Sequence, residues 1–343
     1  MADRRTGPCL ALVAALIAGL PARGRGQAAP DSVAPPGALF DIGGYKLHMK
    51  CSGTGTPTVV LLHGFNDYSF VWDLVQPEVS RFTRVCAYDR AGQAWSDPGP
   101  RPRGLARLTE ELHALLRSAG ERGPFVLVGH SWGGLIPRVY ASRYRADLAG
   151  VVFVDATHED DYLEVRDTLV RPLVVPDSVW HRLWPVAPPS AGPPPSFRPR
   201  APTTVLPPFD RLPAVDQHLF LWARARPVYF SNGDWEDIRD DFRLLHSLRA
   251  ASPFPLGDLP TVVLSAMQRE DSDESGVTAA EQRAVWERGQ EDLSRQSRDS
   301  RWIQAPNSGH DIHLIEPDLV TEAIRQVVVA FRSRTTLCCR AAP

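Results

Sequence analysis

The chain has 343 residues, of which 43% are hydrophobic, and its formal net charge at pH 7 is −2. This hydrophobic share is enough to build a buried core, while the length alone is compatible with one large domain or two small ones. Because there is no excess of basic residues to contact phosphates, the charge argues against nucleic-acid binding and against a polybasic membrane role.

The first 28 residues have the pattern of a signal peptide. MADRRTGP carries positive charge, CLALVAALIAGL is an apolar run of 12 residues, and PARGRGQAAP supplies the small residues for a cut after Ala28. The apolar run is shorter than the roughly 20 residues of a membrane-spanning helix, and an uncleaved membrane anchor is the alternative. We therefore expect an exported protein, periplasmic or secreted, with no stable membrane insertion after cleavage. Residues 29–37 are predicted to be a disordered leader.

Strand and helix patterns alternate over residues 38–157. ALFDIGGYKLHMKCSG predicts two short strands around a Gly-Gly turn. The next segments are predicted, in order, as strand (TVVLLHG), short helix (FVWDLVQPEVSRF), strand (TRVCAYDR), helix (LARLTEELHALLRSAG), strand (PFVLVGH), helix (LIPRVYASRYRADLAG) and strand (GVVFVDA). The apolar strands lack polar alternation, which is typical of strands covered on both faces. The sequence therefore predicts an α/β fold with a mostly parallel central sheet, helices on both faces and right-handed crossovers.

The alternation stops at residue 158 and resumes at residue 259. No clear strand is expected in between, and residues 173–215 are rich in proline. We interpret residues 158–258 as a helical, Pro-rich lid inserted into the core rather than as a second independent domain. Its aromatic side chains could line an apolar pocket, although aromatic residues in helices more often fill a core: Trp180, Trp184, Phe220, Trp222, Tyr229 and Phe230.

Residues 259–335 complete the predicted core, and residues 336–343 form a tail. The segments are predicted as strand (PTVVLSA), helix (TAAEQRAVWERGQEDLSRQ), strand and loop (SRWIQAPNSGH) and helix (DLVTEAIRQVVVAFRS).

Ser131 lies in the pattern of a nucleophile elbow. Gly129-His130-Ser131-Trp132-Gly133 fits G-x-S-x-G, with a predicted strand before it and a predicted helix after it, as the motif requires. A side chain at either glycine would collide with the adjacent strand and helix, and the serine would adopt a strained backbone conformation. Ser131 is therefore the predicted nucleophile.

The loop NSGHDIHL supplies the candidate base. His310 follows the last predicted strand, at the sheet edge where the elbow lies, whereas the competing His313 is expected only to pack. His63 and His130 are interpreted as structural residues whose ring nitrogens bind backbone carbonyl groups.

Two positions compete for the acid that orients this histidine. Asp155 ends the apolar strand GVVFVDA, where a buried carboxylate needs a partner such as a histidine N–H; the alternative is that it caps the following turn. The loop MQREDSDES offers Glu270, Asp271 and Asp273, although a charged run is usually a solvated turn. We favour Asp155, with Asp271 as the alternative acid.

Two backbone N–H groups are the candidate oxyanion-hole donors. One belongs to Phe65, after the His63-Gly64 turn, and the other to Trp132, at the start of the elbow helix.

The cysteines indicate no chemistry. Cys51 and Cys86 lie in predicted strands, where a reduced cysteine behaves as a small apolar residue. Oxidation is open to them in an exported protein, and no metal-ligand spacing is present.

With these residues the chain resembles the α/β-hydrolase fold family, in its lid-bearing, single-domain form of the AB hydrolase-1 type. The likeness covers about residues 38 to 333 and rests on His63-Gly64-Phe65, Tyr88 to Gly92 with Trp95 to Asp97, Gly129 to Gly134, Val154-Asp155 and Ser308-Gly309-His310. Some family members, including lipases and haloalkane dehalogenases, carry the acid after the strand that follows the elbow. Their spacing is similar to the 24 residues between Ser131 and Asp155.

The chain departs from the family pattern at two places. Gln93-Ala94 stand where a glycine of the D-R-x-G-x-G-x-S loop is expected, so that this loop is predicted to run differently. The strand at residues 261–266 lacks the common G-x-x-D continuation, and the equivalent of that aspartate is Arg269. The second departure favours Asp155 as the acid.

The resemblance implies a carboxylesterase-like serine hydrolase. Its substrate would be a small-molecule ester, thioester, lactone or amide, cleaved through an acyl-enzyme on Ser131 without a metal or cofactor. The same triad supports C–C bond hydrolysis, aminopeptidase action or perhydrolysis, and a catalytically inactive, ligand-binding homologue is a further alternative. A serine at position 131 argues against dehalogenase chemistry, which uses an aspartate nucleophile.

Overall fold

A computed structural model describes residues 33–165, 167–184, 203–226 and 238–337 of the chain. The predicted signal peptide and the first residues of the predicted leader lie outside this range, as do Tyr229 and Phe230 of the predicted lid.

An eight-stranded sheet and a separate two-stranded pair account for the strands of the described residues. In chain order they are β1 (Ala38–Asp41), β2 (Lys46–Ser52), β3 (Thr58–Leu62), β4 (Val85–Tyr88), β5 (Phe125–His130), β6 (Leu148–Val154), β7 (Leu163–Glu164), β8 (Leu169–Val170), β9 (Thr261–Ala266) and β10 (Ser300–Ala305). The large sheet has the order β1-β2-β4-β3-β5-β6-β9-β10. Strand β2 pairs antiparallel with β1 and β4, and all other pairs in this sheet are parallel. The predicted α/β architecture is confirmed.

The α-helices of the described residues are α1 (Gln76–Ser80), α2 (Leu105–Ser118), α3 (Ile136–Arg143), α4 (Asp177–Leu183), α5 (Ala214–Arg224), α6 (Ile238–Ala251), α7 (Ala279–Arg295), α8 (Ile312–Ile315) and α9 (Pro317–Ser333). Short 3₁₀ helices cover Ser69–Trp72, Ser131–Leu135, Arg145–Asp147 and Phe209–Arg211. None of the helices in the described ranges is long and apolar enough to cross a membrane.

Both faces of the sheet are buried, which explains why its strands are apolar throughout. Alternate residues of β5 point to opposite faces, so that Leu127 joins one core cluster with α2, while Val126 and Val128 join a second cluster with α9. All three side chains are fully buried. A strand covered on both sides cannot place polar residues at every second position.

Two predicted helices differ from the observed ones. The segment from Phe70 to Phe82 forms a 3₁₀ helix, Ser69–Trp72, followed by the separate helix α1. Pro77 lies in the first turn of α1, where a proline fits, and it lacks the N–H that a single longer helix would need there. Farther along, α3 ends at Arg143, and Leu148 and Ala149, predicted as helix, begin β6.

The segment predicted as a lid contains helices α4, α5 and α6. It also contains the short antiparallel pair β7–β8, although no strand was expected there. Two polar contacts join helix α6 to the core: Oδ1 of Asp241 accepts the Leu105 N–H at 2.7 Å, and Arg249 pairs with Asp292 at 2.9 Å. The lid itself stays a prediction.

Cys51 and Cys86 form a disulfide. They face each other in the antiparallel register of β2 and β4, which becomes visible only once the two strands are paired. The sequence leaves the oxidation state of these two cysteines open, and in the structure they are oxidised.

In the loop after β4, Ala94 adopts the left-handed backbone conformation at the position where a glycine is expected. Ala94 has φ +37°, a conformation that usually favours glycine. Two hydrogen bonds of Ser96 hold the loop: its hydroxyl oxygen accepts the His48 N–H at 2.9 Å, and its hydroxyl donates to the Asp89 carbonyl at 2.7 Å. The loop therefore accommodates the alanine at the cost of backbone strain at Ala94.

Candidate active site

Ser131 lies at a sharp turn directly after β5 and has φ +49°. A Cβ at Gly129 would be 2.6 Å from the Gly133 carbonyl oxygen, and a Cβ at Gly133 would collide with the carbonyl oxygens of Leu62 and His63. The predicted steric need for both glycines is confirmed. The turn exposes the serine at the carboxyl end of the sheet, where it lines a cavity.

His310 and Asp155 are in direct contact beside this serine. Asp155 follows β6, the strand next to β5, and Nδ1 of His310 lies 2.7 Å from its Oδ2. The other carboxylate oxygen, Oδ1, accepts the Ala266 N–H at 2.9 Å. The carboxylate is 2% exposed, so these two donors supply the hydrogen bonds that its burial requires. The arrangement places a proton on Nδ1 and leaves Nε2 available to a reacting group.

Asp271, the alternative acid, has different partners. Its Oδ1 lies 3.3 Å from Nε of Arg269, and its Oδ2 lies 3.2 Å from Nη2 of Arg283. Of the two candidate acids, Asp155 is therefore the one that the structure places on His310.

The electrostatic surroundings make His310 more basic than an ordinary histidine. Desolvation by its surroundings lowers its pKa, but the hydrogen bond that it donates to Asp155 and the charges of Asp155 and Asp311 outweigh this, and the pKa is raised above the usual 6.5. Arg269 acts in the opposite direction. An imidazole with a raised pKa is a good acceptor for a serine proton.

The loop that carries Phe65 lies beside the elbow. Leu62 at the end of β3 is in register with Gly129 of β5, so the loops after these strands meet at one sheet edge. The rings of Phe65 and Trp132 pack edge to face at 6.4 Å between centroids. This places the two candidate donor residues side by side.

Three further histidines lie near this site, and the sequence predicts only structural or packing roles for them. Nδ1 of His63 lies 2.9 Å from the Gly64 carbonyl oxygen, and Nε2 of His130 lies 3.1 Å from that of His310. His313 packs on Trp72 at 4.7 Å between ring centroids. Burial lowers the pKa of all three histidines, that of His313 to about 3, so they are neutral. His130 and His313 also approach Asp311, but we assign no metal to this group.

A cavity of about 810 Å³ opens beside Ser131 and His310. Its lining mixes charged and apolar groups, including Tyr162, Leu163, Gln268, Arg269, Glu270, Asp271, Trp286 and Ile315. Of the aromatic residues proposed for the pocket, Trp180, Trp184, Phe220 and Trp222 lie in the described ranges, and none of the four is among its lining residues. Trp180 stacks on Trp184, Phe220 packs on Tyr68, and Trp222 packs on Trp95. Of the two roles considered for the lid aromatics, these four residues therefore show packing against other aromatic rings.

Comparison with known proteins places this geometry in a family. A family model described as the alpha/beta hydrolase family matches residues 59–323. The chain belongs to the alpha/beta hydrolase family. The recognition made from the motifs is thereby confirmed.

Several relatives and structures resemble this alpha/beta hydrolase. An uncharacterised Bacillus subtilis protein, YqjL, is 25% identical over 84% of this chain and 90% of its own length. Other curated relatives are longer, and the chain spans about a fifth to a third of their length. A thermophilic esterase from Thermogutta terrifontis has a TM-score of 0.56 at 22% identity, covering 84% of this chain and 94% of the esterase. A Bacillus anthracis bromoperoxidase has a TM-score of 0.59 at 18% identity, covering 85% and 99%. These two structures share the fold.

Two arginines of this alpha/beta hydrolase were assigned no role from the sequence. Buried Arg90 donates from Nη1 to the His63 carbonyl and from Nη2 to the Gly64 carbonyl, both at 2.7 Å, and so supports the loop that carries Phe65. In the sequence, this role could have been inferred from the pair Asp89-Arg90 at the end of the segment TRVCAYDR. Arg269 was noted only as a departure from the family pattern, yet it lies 3.6 Å from Asp155.

Proposed function

We propose that this protein is a serine hydrolase that cleaves a small ester, thioester, lactone or amide through a covalent acyl-enzyme on Ser131. The observation that carries the proposal is the 2.7 Å contact between Nδ1 of His310 and Oδ2 of Asp155, in the same cavity as a serine held in a left-handed turn. Nucleophile, base and orienting acid are the three parts of a hydrolytic triad.

In the first half-reaction, Oγ of Ser131 attacks the carbonyl carbon of the substrate and its proton moves to Nε2 of His310. Asp155 stabilises the imidazolium that forms. The N–H groups of Phe65 and Trp132 are the proposed donors to the oxyanion. When the carbonyl re-forms, His310 protonates the departing alcohol, thiol or amine, and the acyl group remains on Ser131.

In the second half-reaction, Nε2 of His310 takes a proton from water, and the resulting hydroxide attacks the acyl carbon. The tetrahedral intermediate collapses, the carboxylic acid leaves, and the proton returns from His310 to Oγ of Ser131. Raised basicity of His310 favours both proton abstractions.

Labelling with a fluorophosphonate tests the proposal. The folded protein should gain one phosphonyl adduct by intact mass, located on Ser131 by peptide mapping. Ser131→Ala should give no adduct, and His310→Gln should label far more slowly at unchanged Tm. A folded wild-type protein that acquires no adduct on Ser131 would support the non-catalytic, ligand-binding alternative instead.

The cavity favours short acyl groups with polar character. Arg269, Glu270 and Asp271 line it alongside Trp286, and a long alkyl chain would remove water from these charged groups without replacing their hydrogen bonds. We expect p-nitrophenyl acetate and butyrate to be hydrolysed with a higher kcat/KM than the decanoate and palmitate. A rise in kcat/KM with chain length would contradict this preference.

We also propose that the protein is exported. The Cys51–Cys86 disulfide supports export because disulfides persist mainly in oxidising compartments, and the pattern of residues 1–28 is that of a signal peptide. Expression of the full chain in a bacterial host should yield periplasmic or secreted protein whose mass lacks residues 1–28. Full-length protein in the membrane fraction would instead indicate the uncleaved anchor.

A further inference from the structure

Arg269 lies where it can act on the acid of the proposed triad. It follows β9, the neighbour of β6 in the sheet, and its Nη1 is 3.6 Å from Oδ2 of Asp155. This is the same oxygen that receives Nδ1 of His310. A single carboxylate oxygen is thus shared by an imidazole and a guanidinium.

The arginine side chain is held from two sides. Its guanidinium carbon lies 4.7 Å from the ring centroid of Trp286, within the range of a cation–π contact. Its Nε is 3.3 Å from Oδ1 of Asp271, whose other oxygen pairs with Arg283 at 3.2 Å. Arg283 also donates to the Arg269 carbonyl oxygen at 3.1 Å. Trp286 and Arg283 both belong to α7, so one helix fixes the guanidinium relative to the triad.

We propose that Arg269 is a positioning residue of the triad: it holds the Asp155 carboxylate against His310 and offsets part of that carboxylate's negative charge. The proposal rests on the proposed serine-hydrolase function. Arg269 occupies the position at which the common family pattern has its aspartate. In this chain it supports a different acid, Asp155, which follows β6.

The groups that face His310 show what this cation changes. Asp155 and Asp311 stabilise the imidazolium form, and buried Asp67 interacts with it from the loop after β3. The His130 ring lies between the rings of His310 and His313, 4.8 and 4.3 Å away between centroids. Arg269 opposes the imidazolium form. Its removal should therefore make His310 more basic, because the full charge of Asp155 would act on the imidazole.

The pH dependence of kcat/KM for a p-nitrophenyl ester separates this role from a merely structural one. Arg269→Gln and Arg269→Met, which keeps packing against Trp286, should move the acid limb to higher pH by roughly half a unit or more. At pH 7 they should lose roughly two- to fivefold in kcat/KM, and the loss should disappear near pH 9, where His310 is neutral in every variant. Arg269→Lys, which keeps the charge, should leave the limb close to that of the wild type.

Arg295→Gln is the matched control, because Arg295 lies on the same helix α7 but pairs with Glu291 and not with Asp271. It should leave the acid limb in place. A loss of activity in Arg269→Gln that is equal at pH 7 and pH 9, or an equal shift of the limb in Arg295→Gln, would overturn the positioning role. Circular dichroism melts identify any variant that is unfolded. If one of the two neutral variants, Arg269→Gln or Arg269→Met, is unfolded, the comparison uses the other.

A readout without turnover distinguishes failure of this inference from failure of the proposed function. NMR titration of the ¹⁵N-labelled His310 ring, assigned with His310→Gln, should show a higher pKa in Arg269→Gln than in the wild type. An unchanged ring titration contradicts the inference about Arg269. A wild-type protein that hydrolyses no ester and takes no label on Ser131 contradicts the proposed function, whatever the titration shows.

Discussion

His310 and Asp155 are separated by 155 residues in the chain, and yet Nδ1 of one lies 2.7 Å from Oδ2 of the other. The backbone of Asp155 adopts φ +41°, and its N–H donates to the Leu264 carbonyl at 2.8 Å. The carboxylate is therefore positioned by β9 as well as by its own strand. It meets the histidine because β6, β9 and β10 are consecutive in the sheet.

Asp155→Asn should lower kcat/KM by about 10³–10⁴-fold at pH 7, since an amide N–H facing Nδ1 forces the opposite tautomer of His310. Asp271 is a carboxylate of the neighbouring loop, and Asp271→Asn should change kcat/KM by no more than about threefold. Steady-state kinetics on p-nitrophenyl acetate measures both, with melts to verify folding. The opposite ranking would make Asp271 the orienting acid.

Asp67→Asn should stabilise the protein more at pH 8 than at pH 5. Burial and the charge of Asp311 raise the pKa of Asp67 from 3.8 to about 7. The folded state therefore binds the proton more tightly than the unfolded state, and wild-type stability falls as the pH rises between these values. The asparagine does not titrate, so its advantage in unfolding free energy should grow by roughly 2–3 kcal/mol between the two pH values. Urea unfolding measures this; a difference that is constant or shrinks with pH contradicts the assignment.

Loss of the Cys51–Cys86 disulfide should destabilise the fold. The bond joins residues 35 apart in sequence, and closing a loop of this length restricts the unfolded chain by about 3–4 kcal/mol. The double variant Cys51→Ala/Cys86→Ala should unfold at a lower urea concentration than the oxidised wild type. Dithiothreitol should lower the wild-type midpoint and leave that of the double variant unchanged. Equal wild-type midpoints with and without the reductant would show that the bond contributes little.

Ala94→Gly should raise the stability of the protein by a few tenths of a kcal/mol to about 1 kcal/mol. The alanine has φ +37°, where a Cβ costs about 1–2 kcal/mol, and the greater freedom of glycine in the unfolded chain cancels only part of that gain. Ala91→Gly, in the same loop, is the control and should destabilise. A lower urea midpoint for Ala94→Gly would mean that the loop does not carry this strain.

The parts of the site that depend on local sequence were predictable. Ser131 was recognised because an elbow needs an apolar strand, two glycines and a helix within a few residues, and the structure shows the steric reason for each glycine. His310 was recognised from its place after the last strand. Two helix boundaries were not predictable from the sequence: the split of the helix predicted at residues 70–82, and the end of α3 at Arg143. Helix propensity alone does not locate where packing ends a helix.

The sequence favours Asp155 over Asp271 as the acid but does not decide between them. Both are carboxylates at the ends of strands in the same region, and their sequence neighbourhoods do not reveal which one is turned towards His310. The disulfide stayed open for the same reason: Cys51 and Cys86 have the pattern of ordinary strand residues until β2 and β4 are aligned.

The sequence by itself determined the α/β architecture, the alpha/beta hydrolase family, the nucleophile candidate and the histidine that follows the last strand, because each depends on short-range patterns of apolar residues, glycines and strand ends. Only the tertiary structure decided that Asp155 contacts His310, that Asp271 pairs with arginines, and that Arg269 shares the Asp155 oxygen. The two contacts of Asp155, with His310 and with Arg269, join segments more than a hundred residues apart. They depend on which strands are neighbours in the sheet, a property that no local pattern encodes.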